Sequence, residues 1–274
     1  MTTATNSDSS VWNTVQEGNQ YSLAKILSLW VAAAAPMGIL AWVVYPALVP
    51  DFESDPIGAA FTRFGLITVG LIWLFVLSMI IVYREEGDLH WATIRRRFWL
   101  NTPRDPKTGE PHRKLWLWLI PLVLLHIATI VTPILEPLWR LGRSVFAMPD
   151  SANLDSILGA PEIAAQVTGN WAFFGLFCVM AVFNIVGEEF FFRGVLLPKM
   201  GGVFDKWDWV VNGVLMSAYH WHQPWMILAG MVMFPLVIVL PTRLFRSTWF
   251  AIIIHSAQYL IALPMILALV LGLV

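Results

Sequence analysis

Long apolar runs recur along the chain and leave it few ways to fold. They cover about Ala24–Val49, Phe64–Tyr83, Leu115–Leu135, Trp171–Pro198, Trp207–His222, Trp225–Leu240 and Thr248–Leu263, and Pro264 is read as a hinge into a short eighth segment ending at Val274. Roughly 20 apolar residues cross about 30 Å of hydrocarbon as a helix. In lipid every backbone polar group must be paired internally, so continuous runs of this length fold as helices. Of the 274 residues, 58% are hydrophobic and 13% charged, about half the charge of a typical soluble domain. One soluble core cannot use that much apolar surface. The sequence therefore predicts an all-α polytopic membrane protein, a bundle of seven or eight transmembrane helices. Trp116, Trp171, Trp207, Trp209, Trp225 and Trp249 sit near the ends of these runs, at the headgroup level their amphipathic rings favour.

Charge sets the expected orientation. The polar segment from Arg84 to Lys114 carries eight Lys/Arg, including Arg95, Arg96 and Arg97, whereas the preceding loop carries Asp51, Glu53 and Asp55. Excess Lys/Arg marks the cytoplasmic side. The N-terminus and the loops with Lys199, Lys206, Arg243 and Arg246 then face the cytoplasm. The 136–170 loop falls outside, with Arg140 and Arg143 as mild exceptions. Residues 1–114 read as an N-terminal pair of spans with a basic cytoplasmic loop, and 115–274 as a C-terminal helix bundle. The net charge of −1 gives no surface for nucleic acid, and the expected partner is the bilayer. The polar first 20 residues predict no cleavable signal peptide. The single cysteine, Cys178, lies in an apolar run and supports neither a disulfide framework nor a Cys-based metal site.

One group of charges does not belong in a membrane. Glu188, Glu189 and Arg193 interrupt the run from Trp171 to Leu197. Ionisable groups at a helix centre cost a few kcal/mol each (roughly 2.5–3.5 on insertion scales) and mark functional sites by default. Charges at the end of a span would simply sit in water. Here the apolar run resumes with Phe190–Phe192 and Val195–Leu197. Glu189 and Arg193 are four apart on one helical face in the favoured order. Glu188, rotated by about 100°, is left without a helical partner.

The second signal is histidine. Three of the six lie between positions 220 and 255: His220 and His222 at the end of one run, His255 inside another. His222 reads as a packing residue. At 1.5 Å per residue, Glu188 lies roughly 15 Å from Pro198, His220 roughly 20 Å from Trp207 and His255 roughly 10 Å from Thr248. With the first helix running inward and the other two outward, the three side chains can meet between the cytoplasmic interface and the midplane. Gln258 and Tyr259 share the His255 face, and Asn212 and Met216 share that of His220. A carboxylate beside a histidine can hold and deprotonate water. A second histidine with a Gln or Tyr donor can stabilise an oxyanion. The same groups are also a plausible zinc ligand set. The H-E-x-x-H, G-x-S-x-G and Gly-x-Gly-Asp signatures are absent, and no lysine lies deep in a span.

Glu188-Glu189-Phe-Phe-Phe-Arg193, then Met216-Ser-Ala-Tyr-His220, then His255-Ser-Ala-Gln-Tyr259 resemble the three motifs of the CPBP intramembrane proteases. These are the CAAX proteases and bacteriocin-processing enzymes of the Abi family, which include the Ras-converting CAAX endopeptidase. The resemblance covers about 171–271. The first motif matches throughout; Met216 stands for the usual Phe and Tyr259 for the usual Asn. The resemblance implies an endopeptidase in which Glu188 is the general base, acting with His220 on a water. Glu189 and Arg193 support the site. His255 forms the oxyanion pocket with Tyr259 or Gln258 in place of the family Asn. It implies a membrane-embedded or lipid-anchored protein substrate, with a prenylated C-terminus as the best-known case, and location in a bacterial cell membrane. No cofactor is expected; zinc at Glu188, His220 and His255 is the metal-dependent alternative. Two further classes compete: an inactive relative serving as a membrane scaffold or immunity factor, favoured by Tyr259, and an ion or proton carrier. The carrier reading lacks the paired halves that transporters show.

Overall fold

A computed structural model of the chain describes residues 19–49, 51–153 and 165–273. The principal helices among the described residues are α1 (Leu23–Leu48), α2 (Pro56–Glu86), α3 (Trp91–Arg97), α4 (Arg113–Val131), α5 (Glu136–Val145), α6 (Trp171–Lys199), α7 (Asp208–Tyr219), α8 (Pro224–Phe245) and α9 (Thr248–Val270). Six of them, α1, α2, α4, α6, α8 and α9, are long and apolar enough to cross a membrane. The chain is an all-α, multi-pass membrane protein. The expected N-terminal orientation concerns residues 1–18, and part of the expected outer loop is 154–164; both lie outside the described residues.

Local chemistry sets many of the helix ends. Ser22, Asp55 and Asn170 each accept a backbone N–H of the first turn, from Lys25, Gly58 and Phe173, relieving orphan donors. Pro56 occupies the first turn of α2, where its missing N–H is harmless. Gly87 ends α2 at φ +82°, the left-handed position glycine favours.

Two sequence expectations are corrected. The Trp207–His222 run is not a full span: α7 has 12 residues and gives way to a tight turn at His220–His222. Pro224 disfavours helical backbone at the residue before it, and Gln223 lies outside the helical region at φ −140°, ψ 65°. Pro264 does not divide the last span either. It lies inside the second segment of α9, Tyr259–Val270, and the break falls earlier, between Ser256 and Tyr259. There Ala257, Gln258 and Leu260 donate to Ile254, His255 and Ala257, tighter bonds that over-wind the helix. The break places Gln258 and Tyr259 immediately beyond His255.

The helix α6 is central. Its backbone runs so close to α2 that a Cβ at Gly187 would lie 2.7 Å from the Leu71 carbonyl oxygen. A backbone contact cannot yield as a side chain can. Gly187→Ala is expected to destabilise the protein by about 1–3 kcal/mol, read as a lower melting temperature in detergent; an unchanged midpoint would show that the two helices can separate without cost. Just past Glu189, α6 widens into a π-type turn over Phe190–Leu196, a distortion frequent at functional sites.

One end of the bundle is laced together by charge. Arg97 of α3 is buried and donates to the Gly194 and Val195 carbonyls at 2.7 and 3.2 Å, and to Tyr21 and Glu85. Lys25 reaches Glu85 at 2.8 Å, and Tyr21 donates its backbone N–H to Lys199. Arg243 of α8 meets both Asp208 oxygens, at 3.0 and 2.7 Å, and ties α8 to the start of α7. In the adjoining loop, backbone N–H groups of Lys107 and Thr108 hold the Asp105 carboxyl below its usual range.

Candidate active site

The acidic pair sits in the half of α6 nearer Lys199, and its two members have different surroundings. Glu189 is fully buried. One of its oxygens lies 3.0 Å from Arg193 Nε, the other 2.8 Å from His255 Nδ1. The i,i+4 pairing expected from helical spacing is present, with an imidazole added on the far side. Arg193, also fully buried, directs a second guanidinium nitrogen at the Met216 sulfur.

Glu188 lies one residue earlier and is 2% exposed. Its Oε1 is 4.0 Å from His220 Nε2, and its Oε2 has no hydrogen-bond partner among the described residues. The first distance exceeds hydrogen-bond reach. His220 Nδ1 is 2.9 Å from the Met216 carbonyl oxygen. A carbonyl only accepts, so Nδ1 carries the proton and Nε2, toward Glu188, is the basic nitrogen. The ring is held between His222 and Phe234, with centroids at 5.5 and 5.2 Å. Asn212 of α7 donates to the Phe192 carbonyl at 2.8 Å, fixing α7 against the wide turn of α6.

The side-chain hydrogen bonds of Tyr259 and Gln258 go to α6. Tyr259 donates its hydroxyl to Asn184 Oδ1 at 2.9 Å, and Gln258 donates its amide to the same oxygen at 3.1 Å. With Oδ1 taken twice, Asn184 is left its NH2 group as donor, beside the Glu188 carboxylate one turn along α6. The expectation of a His255–Tyr259 pair therefore becomes two linked groups. His255 leans on Glu189, and Asn184 is held by Gln258 and Tyr259.

Asn184, Glu188, His220, His222, Phe234, His255, Gln258 and Tyr259 line a cavity of about 450 Å³. Three lining residues escape the sequence reading. Asn184 is a neutral polar residue four before Glu188, and that i,i+4 spacing was its available signal. His126 stands alone in the apolar run of α4; it is buried, and neither ring nitrogen has a hydrogen-bond partner among the described residues. His222, read as a packing residue, does pack on His220 but also forms part of the wall.

The chemistry such a set offers is hydrolytic. A buried carboxylate faces a basic imidazole nitrogen across a gap that a water can bridge, with further hydrogen-bond donors in the same enclosure. Comparison with known proteins agrees. Residues 170–261 match the model of the family described as type II CAAX prenyl endopeptidase, Rce1-like. No curated protein and no solved structure matches the chain. The matched segment contains Glu188, Glu189, Arg193, His220, His255 and Tyr259, and the chain thus carries an Rce1-like CAAX prenyl endopeptidase domain, of the CPBP/CAAX protease family, at residues 170–261.

Proposed function

We propose that the protein is an intramembrane endopeptidase that hydrolyses a peptide bond with water activated by Glu188 and His220. The observation that carries this reading is the unpaired Glu188 oxygen, buried on a cavity wall with the basic nitrogen of His220 4.0 Å from its neighbour. A water between them donates one hydrogen bond to each. Glu188 takes a proton as the water oxygen attacks the carbonyl carbon, and later delivers it to the leaving amine. The developing oxyanion needs donors. His255, on the cavity wall with its Nδ1 2.8 Å from Glu189, is the first such donor in this reading.

The second donor in this reading is Asn184. Loss of one oxyanion donor lowers turnover by about 10²–10³. Asn184→Leu is expected to show that fall. Tyr259→Phe is expected to change turnover little, because Gln258 still holds the Asn184 amide. A large loss in Tyr259→Phe with a small one in Asn184→Leu would return the role to position 259.

The site's place in the helix bundle and the family match support as substrate a membrane-embedded or lipid-anchored protein, cleaved near an anchored C-terminus. The reading uses no metal; the metal-dependent alternative places zinc at Glu188, His220 and His255. Purified protein in detergent is expected to cleave an isoprenylated quenched-fluorescent peptide, to keep that activity in a chelator, and to carry no stoichiometric zinc by mass spectrometry. Activity lost to chelation and restored by zinc would overturn the metal-free mechanism. Tyr259 at the family Asn position favours a second reading, an inactive relative serving as a membrane scaffold or immunity factor. Absence of cleavage across a panel of anchored peptides would favour it.

A further inference from the structure

The cavity extends from the acidic pair in one direction only. On α6 it is lined by Phe177, Met180, Asn184 and Glu188 and by nothing closer to Lys199; on α9 its lining starts at His255 and ends at Met265. On α2 it involves the half nearer Pro56, from Phe64 to Leu71. Beyond Glu188 the other way the protein is solid. Phe191, Phe192, Arg193 and Met216 are fully buried there, and Arg97 is seated on the Gly194 and Val195 carbonyls behind them.

The solid end is also the cationic end. Lys25, the eight basic residues from Arg84 to Lys114, Lys199, Lys206, Arg243 and Arg246 belong to it, thirteen of the chain's 17 Lys and Arg. Backbone bonds from Tyr21 to Lys199, from Arg104 to Phe245 and from Thr248 to Trp99 show that these segments meet at one end of the bundle. Excess Lys/Arg in loops marks the cytoplasmic face. The cavity therefore points away from the cytoplasm.

We propose that peptide reaches this site from the non-cytoplasmic side of the membrane, which rests on the endopeptidase reading above. Its substrate is then a segment anchored in the non-cytoplasmic leaflet, with apolar side chains to match a wall of Phe64, Phe177, Met180 and Met265. A lipid-tailed C-terminus held in the cytoplasmic leaflet faces the closed end.

Thiol accessibility tests this without any hydrolysis, so its failure is distinct from failure of the endopeptidase reading. Cys178, the single native cysteine, is replaced by Ser. Gln223→Cys and Met265→Cys then report on the cavity wall, and Thr108→Cys on the cationic end. A charged, membrane-impermeant thiol reagent is applied to intact cells and to inside-out vesicles. The expected result is labelling of Gln223→Cys and Met265→Cys in intact cells, with complete loss of label at Thr108→Cys until the membrane is inverted. Label at the cavity positions only in inside-out vesicles, label at Thr108→Cys in intact cells, or no label at the cavity positions from either side would each overturn the proposal. As the catalytic arm, a peptide tethered to lipid and added outside intact cells is cleaved by the parent and not by Glu188→Gln. Cleavage of the same peptide only when delivered to the cytoplasmic side contradicts the proposed route.

Discussion

Glu188→Gln protein is expected to insert and melt as the parent does while hydrolysing nothing above background. The amide has the shape of the carboxylate, and no ion pair is lost, because the nearest imidazole nitrogen stands 4.0 Å away. What disappears is the ability to take a proton from water. A positioned general base typically contributes about 10²–10⁴ in rate, and here the same group also returns the proton to the leaving amine. The check is a turnover assay on purified protein beside a thermal melt in the same detergent. Near-normal cleavage would falsify the assignment of the base. Lost activity together with a collapsed melt would mean that Glu188 supports the fold instead.

Glu189→Gln is expected to fail differently, losing stability and activity together. The side chain sits between Arg193 at 3.0 Å and His255 at 2.8 Å, and Glu189 and Arg193 are fully buried. Removing one partner of a buried pair leaves an uncompensated charge, at a cost of about 3–5 kcal/mol. A marked drop in melting temperature follows. Activity falls as well, because the carboxylate that orients His255 is gone. The double variant Glu189→Leu, Arg193→Met separates the two effects. Replacing a buried pair with apolar groups is often neutral or stabilising, so the melt should recover toward the parent while turnover stays low. A Glu189→Gln protein with the parent's midpoint would show that the Glu189–Arg193 pair contributes nothing to the fold.

The parts of this arrangement that were readable in advance share a physical origin. Charges inside an apolar run are conspicuous because lipid penalises them, so Glu188, Glu189 and Arg193 stand out and their spacing predicts the pair. Counting residues from the ends of the runs was enough to bring His220 and His255 to the depth of Glu188. The less legible features depend on neighbours in space. Asn184 is neutral, so lipid penalises it less, and its significance lies in the two donors that converge on it from α9. The interruption of α9 falls at Ala257 and Gln258 rather than at Pro264, because proline inside a membrane helix is tolerated where its surroundings re-satisfy the backbone. The shortness of α7 was signalled by Pro224, but a largely apolar run from Trp207 to His222, broken by Asp208, Asn212, Ser217 and two histidines, still reads as a span.

The cavity is wider than the segment that carries the motifs. Phe64, Ile67 and Leu71 of α2 and His126 and Ile130 of α4 belong to its wall, and all five lie outside the residues that match the family. Hydrolytic residues and much of the surface a peptide meets are thus encoded in separate stretches of the gene. Selection can reshape which peptides are accepted by drift in the two flanking helices, while the acid, the base and their supports stay constant.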